Sequence, residues 1–258
     1  MKWAVMSDAH ANPKALREAI ADARGLECGR FILLGDVTGY GYDVRETLRL
    51  ARESFDIVLM GNHDSMCLGL EPAFDRLMNK NYRLDIAHHD ELSGDELKWL
   101  GDRPYKHEEG DAAFVHGDYT APRAWNYILS ASAVLGNFFM CPRQVLFCGH
   151  THHAEVWELG KTGAVCARLV DEMDDPAKAP ESLDLPLQDG CRYIVNVGSV
   201  GYPRNDFCST YAIYDDEARR VTMRRLPVDI RAYADELSRR GIDRPAWLVR
   251  WFAENGAD

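Results

Sequence analysis

Phe31-Ile32-Leu33-Leu34-Gly35-Asp36 runs four apolar residues into a glycine and then a carboxylate. So short an apolar run, closed by a turn residue, reads as a strand buried on both faces. A carboxylate is costly to bury unless it is paired or bound to a metal. Asp36 is delivered at the strand's C-terminal end, where open α/β sheets place their ligands. Taken alone, it reads first as a helix cap or a turn residue. The segments on either side tip the balance.

Upstream, Trp3-Ala4-Val5-Met6 is a short apolar strand that ends at Ser7-Asp8-Ala9-His10-Ala11-Asn12. Asn12 is a cap and Pro13 suits the first turn of a helix. Leu16, Ala19, Ile20 and Ala23 recur at helical spacing and carry that helix to about Arg24. Downstream, the Thr38-Gly39-Tyr40-Gly41 loop leads into a helix over 43–53. A third strand, Asp56 to Met60, ends at Gly61-Asn62-His63-Asp64. This strand–helix–strand order predicts a parallel, right-handed arrangement.

Residues 72–104 have helical composition and are expected as an excursion beside the site. A fourth strand (112–115) ends at His116-Gly117-Asp118, and a helix is expected over 130–141. A fifth strand (144–148) ends at Gly149-His150-Thr151-His152-His153. Beyond it come short strands without long helices, about 155–159, 164–169, 192–197, 209–215 and 221–226, which predict an antiparallel sheet. The acidic stretch 171–190, with Pro176, Pro180, Pro186 and Gly190, is expected as a mobile, partly extended loop. Two helices within 229–255 close the chain. Their aromatic stripe (Trp247, Trp251, Phe252) is expected to dock on the body or on a second copy, which leaves room for a homodimer. All 258 residues are read as one domain.

Composition bounds the function. Hydrophobic residues at 46% and charged residues at 28% are ordinary for a globular chain. A net charge of −11 argues against broad binding to a nucleic-acid backbone, yet bound divalent metals would reverse the local sign for a small phosphorylated substrate. The seven cysteines are scattered, with no C-x-x-C pair, so neither a disulfide framework nor a zinc–thiolate site is expected. A reducing cytoplasm is the expected location, and no apolar run is long enough to span a membrane.

Five predicted strands thus end in metal-competent residues: Asp8-x-His10, Asp36, Asn62-His63-Asp64, His116 and His150-x-His152. Five of the nine histidines sit there. If the strands share one sheet, their ends converge on one edge. So many ligands exceed one tetrahedral zinc. They suit two metals about 3.5–4 Å apart that share a carboxylate. Imidazole with oxygen donors suits Mn, Fe, Zn, Co or Ni.

These five segments, in this order, resemble the five motifs of calcineurin-like metallophosphoesterases. Gly39-Tyr40-Gly41, the Asn196-Val197-Gly198-Ser199-Val200-Gly201 segment with Pro203-Arg204, and the closing helix pair resemble the small prokaryotic, phosphodiesterase-like or diadenosine-tetraphosphatase-like members. Two positions depart from the family pattern: Ala11, where glycine is common, and Asp118, where a small residue is common. The resemblance implies an α+β fold, a four-layer α/β/β/α sandwich. It also implies two divalent transition-metal ions, manganese foremost. Asp8, His10 and His152 would hold one metal, and Asn62, His116 and His150 the other, with Asp36 bridging through its two oxygens. A hydroxide shared by the metals would attack phosphorus. His63 would protonate the leaving oxygen and Asp64 would orient His63. Asn12, Tyr40 and Arg204 are candidate substrate contacts.

The activity expected is hydrolysis of a phosphodiester of small or nucleotide type. Phosphomonoester or phosphoprotein hydrolysis is the alternative. A metal-holding scaffold without catalysis would be marked by loss of His63 or of several ligands, and all are present.

Overall fold

Alternation along the first strand decides which layer each side chain joins. Trp3 and Val5 point one way, Ala4 and Met6 the other, and all four are buried. The strand is therefore covered on both faces, as its unbroken apolar run requires. The structure is a computed structural model that describes residues 1–71, 83–163, 165–169, 182–204 and 207–254.

In chain order the described elements begin with β1 (Lys2–Met6), α1 (Pro13–Gly25), β2 (Arg30–Leu33), α2 (Val44–Ser54), β3 (Ile57–Val58) and α3 (Asn62–Cys67). Then come α4 (Arg83–Glu91), α5 (Gly94–Gly101), β4 (Lys106–Glu109), β5 (Ala112–Val115), α6 (Ala131–Met140) and β6 (Val145–Cys148). The remainder is β7 (Ala154–Leu159), β8 (Val165–Leu169), β9 (Ser182–Pro186), β10 (Arg192–Val197), β11 (Cys208–Asp215), β12 (Arg220–Pro227), α7 (Ile230–Arg239) and α8 (Ala246–Glu254).

The strands form two six-stranded sheets, ordered β3-β2-β1-β11-β12-β9 and β4-β5-β6-β10-β7-β8. Their facing sides enclose one core, in which Trp3, Val5 and Ile32 of the first sheet meet Phe114, Phe147 and Val195 of the second. Phe114 stacks between Trp3 and Phe147, with ring centroids 5.8 and 5.4 Å away. The outer face of the first sheet packs on α1 and α2 through Ala4, Met6, Leu16, Ile20 and Leu48. The outer face of the second packs on α6 through Val115, Val134, Phe138 and Leu146. The result is the four-layer α/β/β/α sandwich.

Five readings of the sequence need correction. The site strands do not share one sheet: β1, β2 and β3 belong to the first, β5 and β6 to the second. The later strands do not form a single antiparallel sheet either. β11 pairs antiparallel with β1 (Ala4↔Ile213), while β10 runs parallel to β6 (Ile194↔Leu146). β4 was not expected, because Lys106-His107-Glu108-Glu109 has no apolar run and lies at a sheet edge. The third strand is only Ile57–Val58, since Met60 turns its amide to the Pro104 carbonyl (2.8 Å) instead of continuing the ladder. β9 lies inside the stretch read as a loop and pairs with β12, burying Leu185. Residues 171–181 of that loop and 72–82 of the excursion fall outside the described residues; α4 and α5 confirm helix in the rest of the excursion.

The closing helices pack on the body. Tyr233, Leu237, Trp247 and Leu248 form a cluster with Tyr42 and Tyr202, and Trp251 and Phe252 lean on it. The aromatic stripe is thus spent within the chain. Among the described residues no helix is long and apolar enough to cross a membrane.

Candidate metal centre

The strand ends of the two sheets meet across the core, and sharp turns bring their polar residues inward. Asp8, His10, Asp36, His150 and His152 all have left-handed backbone (φ 57, 44, 55, 67 and 63°). Side chains other than glycine rarely adopt it, and such strain persists where the surroundings enforce it, characteristically at functional sites. Ala11 shares the conformation (φ 46°), which gives the glycine common at this position a physical reason. Close approach also demands glycine: a Cβ on Gly61 would overlap the Asp36 carboxylate, and one on Gly149 would overlap Ser7 and Asp8.

Each central carboxylate is anchored by one oxygen. Asp8 Oδ2 accepts from the His150 amide (3.0 Å) and Asp36 Oδ1 from the His63 amide (2.8 Å). Their other oxygens, Asp8 Oδ1 and Asp36 Oδ2, are buried and accept no hydrogen bond among the described residues. A buried carboxylate oxygen without a partner is expensive unless a cation completes it.

The imidazoles point to the same conclusion. A carbonyl can only accept, so His10 Nδ1 donates to Thr38 O (2.9 Å), His152 Nδ1 to Tyr202 O (2.8 Å) and His150 Nε2 to Trp125 O (2.9 Å). Each ring, if neutral, then presents its other nitrogen as a lone pair. His10 Nε2 and His152 Nε2 stand 3.1 Å apart, and 3.6 and 3.2 Å from Asp8 Oδ1. His150 Nδ1 stands 3.2 Å from His116 Nε2, which is 3.0 Å from Asn62 Oδ1 and 3.4 Å from Asp36 Oδ2. Asp36 Oδ2 also lies 3.6 Å from His10 Nε2, so it faces both groups. In the Asp8 group neutral rings would pack acceptor against acceptor, which a cation between them would relieve; at His116 burial works against charge, yet Asp36 raises it to about 9, and this set of imidazole and oxygen donors fits a divalent transition metal. Asp8, His10 and His152 form one such group and Asp36, His116 and His150 another, with the donor atoms of each within 4.8 Å of one another. Asp36 thus presents its two oxygens unequally: Oδ1 accepts from the His63 amide, and Oδ2 faces the imidazoles.

Burial opposes charge on His150 and His152 and holds them down at about 3 and about 4, with His116 adding to it at His150. Burial alone would raise the Asp36 carboxyl, but His116, His63 and His10 hold it far below the carboxylate range.

His63 offers a ring nitrogen within 4.8 Å of donor atoms of His10 and Asp36. Asp64 does not orient it. The Asp64 carboxylate accepts from the amides of Asp36 (2.8 Å), Gly61 (3.1 Å) and Thr38 (3.1 Å), clamping the loop that presents Asp36. The carboxylate on His63 is Asp85 of α4, both of whose oxygens lie 3.0–3.1 Å from Nδ1. Burial works against protonation of His63, yet Asp85 first and then Asp36 raise it to about 9. Asp85 was invisible in the sequence. Arg83-Leu84-Asp85-Ile86-Ala87-His88 looks like any mixed helix, and nothing marks which face is buried.

The other candidates divide. Asn12 caps α1 and ties the loop, accepting from the Ala15 amide (3.2 Å) and donating to Gly201 O (2.9 Å). Tyr40 is half-buried, its ring centroid 4.7 Å from His10 and 4.5 Å from His63. Arg204 borders a cavity beside it. Asp118 caps its own turn, accepting from Thr120 Oγ1 and the Ala121 amide. His88 is buried and accepts from the Gly39 amide (3.2 Å), tying α4 to the loop that carries Tyr40. His107 pairs with Glu109, and His89 donates to Cys67 O.

A family model described as the calcineurin-like phosphoesterase superfamily domain matches residues 1–219. An uncharacterized protein of Methanocaldococcus jannaschii, MJ0912, is 26% identical over 251 residues, 95% of this chain and 94% of that protein. A metallophosphoesterase from Sphaerobacter thermophilus is 31% identical and superposes with a TM-score of 0.80 over 98% of this chain and 99% of its own. The hypothetical protein PH1004 from Pyrococcus horikoshii, 17% identical with a TM-score of 0.71 over 96% of both chains, has the same fold.

Proposed function

The chain belongs to the calcineurin-like phosphoesterase superfamily and is a phosphoester hydrolase; from that premise we propose that it cleaves phosphodiesters of small or nucleotide type with two divalent metal ions, manganese foremost. The observation that carries the two-metal reading is the pair of buried carboxylate oxygens without a hydrogen bond among the described residues, Asp8 Oδ1 and Asp36 Oδ2, each beside imidazole nitrogens.

Asp8, His10 and His152 would hold one ion, and Asn62, His116 and His150 the other, with Asp36 Oδ2 between them. Bound there, the ions would supply charge to draw in the phosphate oxygens and would acidify a water to serve as nucleophile. His63 would serve as a proton donor and not a ligand: Asp85 accepts from its Nδ1–H and favours the protonated ring. A positively charged imidazole repels a cation but suits the developing charge on a leaving oxygen. The backbone clamp of Asp64 keeps Asp36 in its strained turn. Room beside the site favours the diester, since a cavity of about 640 Å³ opens past Tyr40 and Tyr202 and suits a second esterified group.

A substrate panel on Mn²⁺-loaded protein tests this reading. Bis-p-nitrophenyl phosphate is expected to turn over faster than p-nitrophenyl phosphate, with cyclic nucleotides and dinucleoside polyphosphates completing the panel. Faster monoester turnover would replace the diester reading. No turnover of any phosphoester with any divalent metal would favour the scaffold alternative.

Asp85→Asn tests the proton donor. Its charge raises His63, so its removal lets the ring lose its proton at lower pH. The donor acts only below its pKa, so the alkaline limb of kcat should move to lower pH. Loss of such an orienting partner costs about 10- to 100-fold, here expected in kcat with KM little changed. An unaltered pH profile and kcat would remove Asp85 from the mechanism.

A further inference from the structure

Tyr40 and Tyr202 stack with ring centroids 4.3 Å apart and an interplanar angle of 19°. One side of the pair belongs to the metal centre, Tyr202 lying 5.6 Å from His152 and Tyr40 4.5 Å from His63. Tyr40 is held there by a left-handed backbone (φ 51°). The other side lines a second cavity of about 430 Å³, walled by α8 through Trp247 and Arg250 and by Arg204 from the loop after β10.

The two guanidinium groups stand out in a chain of net charge −11. Several other arginines are committed to carboxylates: Arg17 and Arg49 to Glu46, Arg224 to Asp22, Arg240 to Asp43. Arg204 is half-buried and makes no hydrogen bond or ion pair through its side chain among the described residues. Arg250 donates to the Arg204 carbonyl (3.3 Å) and reaches Glu254 only at 3.9 Å, with both side chains more than half exposed. Two weakly committed planar forks at the rim of an aromatic cavity match the geometry of a phosphate, which a guanidinium grips with paired N–H donors. The cavity's size falls in the range of small-molecule sites, roughly 300–1,000 Å³.

We propose that this cavity holds a second phosphoryl group of the substrate, with Arg204 and Arg250 taking the anion while the organic body lies on Tyr40 and Tyr202. The preferred substrates are then molecules with a phosphate in addition to the ester that is cleaved, as in nucleotides with two or more phosphates. This rests on the phosphoesterase reading of the metal centre and narrows its substrate class.

The test compares AMP with ADP as competitors of bis-p-nitrophenyl phosphate hydrolysis by the Mn²⁺-loaded protein, free Mn²⁺ held constant. The second phosphate should tighten inhibition on the order of tenfold or more in the wild type, as an added charge-assisted contact does. In Arg204→Gln and in Arg250→Gln that gain should shrink below about threefold, as expected when the contact is lost. Arg239→Gln, on the exposed side of α7, should keep it. Arg204→Lys, with the charge but not the fork, should restore part of the gain. Melting temperatures matching the wild type exclude a folding defect; should Arg204→Gln fail to fold, Arg250→Gln and Arg204→Lys decide. No gain in the wild type, or the full gain in both glutamine variants, overturns the proposal. If the wild type hydrolyses no phosphoester, the phosphoesterase reading falls separately, and calorimetric titration of AMP and ADP into the same protein still measures the gain.

Discussion

Asp36→Asn is expected to abolish metal loading at both positions together and to lower phosphoester turnover by about three orders of magnitude or more, the several kcal/mol that metal charge contributes. The asymmetry of the carboxylate makes the effect large. Oδ1 accepts from the His63 amide and Oδ2 faces His10 and His116 without a hydrogen bond. An asparagine that keeps its carbonyl oxygen on the His63 amide must turn its NH₂ group toward the two imidazole nitrogens. Those N–H groups cannot bind a cation. The opposite rotamer sets NH₂ against the His63 N–H, a donor facing a donor in a buried site. Metal analysis of the purified variant beside His152→Ala checks the point. His152 touches only the Asp8–His10 group, so its loss should lower metal content by one ion per chain, and that of Asp36→Asn by two. One ion retained at full occupancy in Asp36→Asn would contradict the shared role.

His63→Ala should leave metal content intact and lower kcat by about 10²- to 10⁴-fold, the range for loss of a positioned proton donor. His63 is tied to Asp85 on one ring nitrogen, whereas the unpartnered oxygens belong to Asp8 and Asp36. Removing it therefore empties a place beside the ligands and takes away none of them. The loss should be smaller with p-nitrophenolate, a good leaving group that needs little protonation, than with an alkyl alcohol. Unchanged turnover with metal retained would take His63 out of the chemistry. Loss of metal would make it a ligand after all.

The clustered Asp and His positions were legible because the residues before each are short apolar runs, and a strand buried on both faces must end where the chain can turn out of the core. Phe31 to Leu34 announces Asp36 in this way, and Val145 to Cys148 announces His150. How the strands are shared between two sheets was not legible. It depends on pairings such as Ala4 with Ile213, and no local pattern encodes a partner so far along the chain. β4 escaped because an edge strand with charged, partly exposed side chains lacks the apolar alternation that marks a strand. The error over Asp64 has a similar origin. Adjacency to His63 suggested contact, but successive residues on α3 project in different directions. Asp64 turns back to the Asp36 loop, while Asp85 arrives from another helix. The choice between two oxygens of one carboxylate likewise lies below what sequence resolves.

The most direct test is a titration of metal-free protein with Mn²⁺, following bound metal and phosphodiester hydrolysis in the same samples. Two ions should bind per chain, with hydrolysis rising mainly on the second equivalent and vanishing again with a chelator. Saturation at a single ion, or hydrolysis that is indifferent to the chelator, would contradict the two-metal centre built on Asp36.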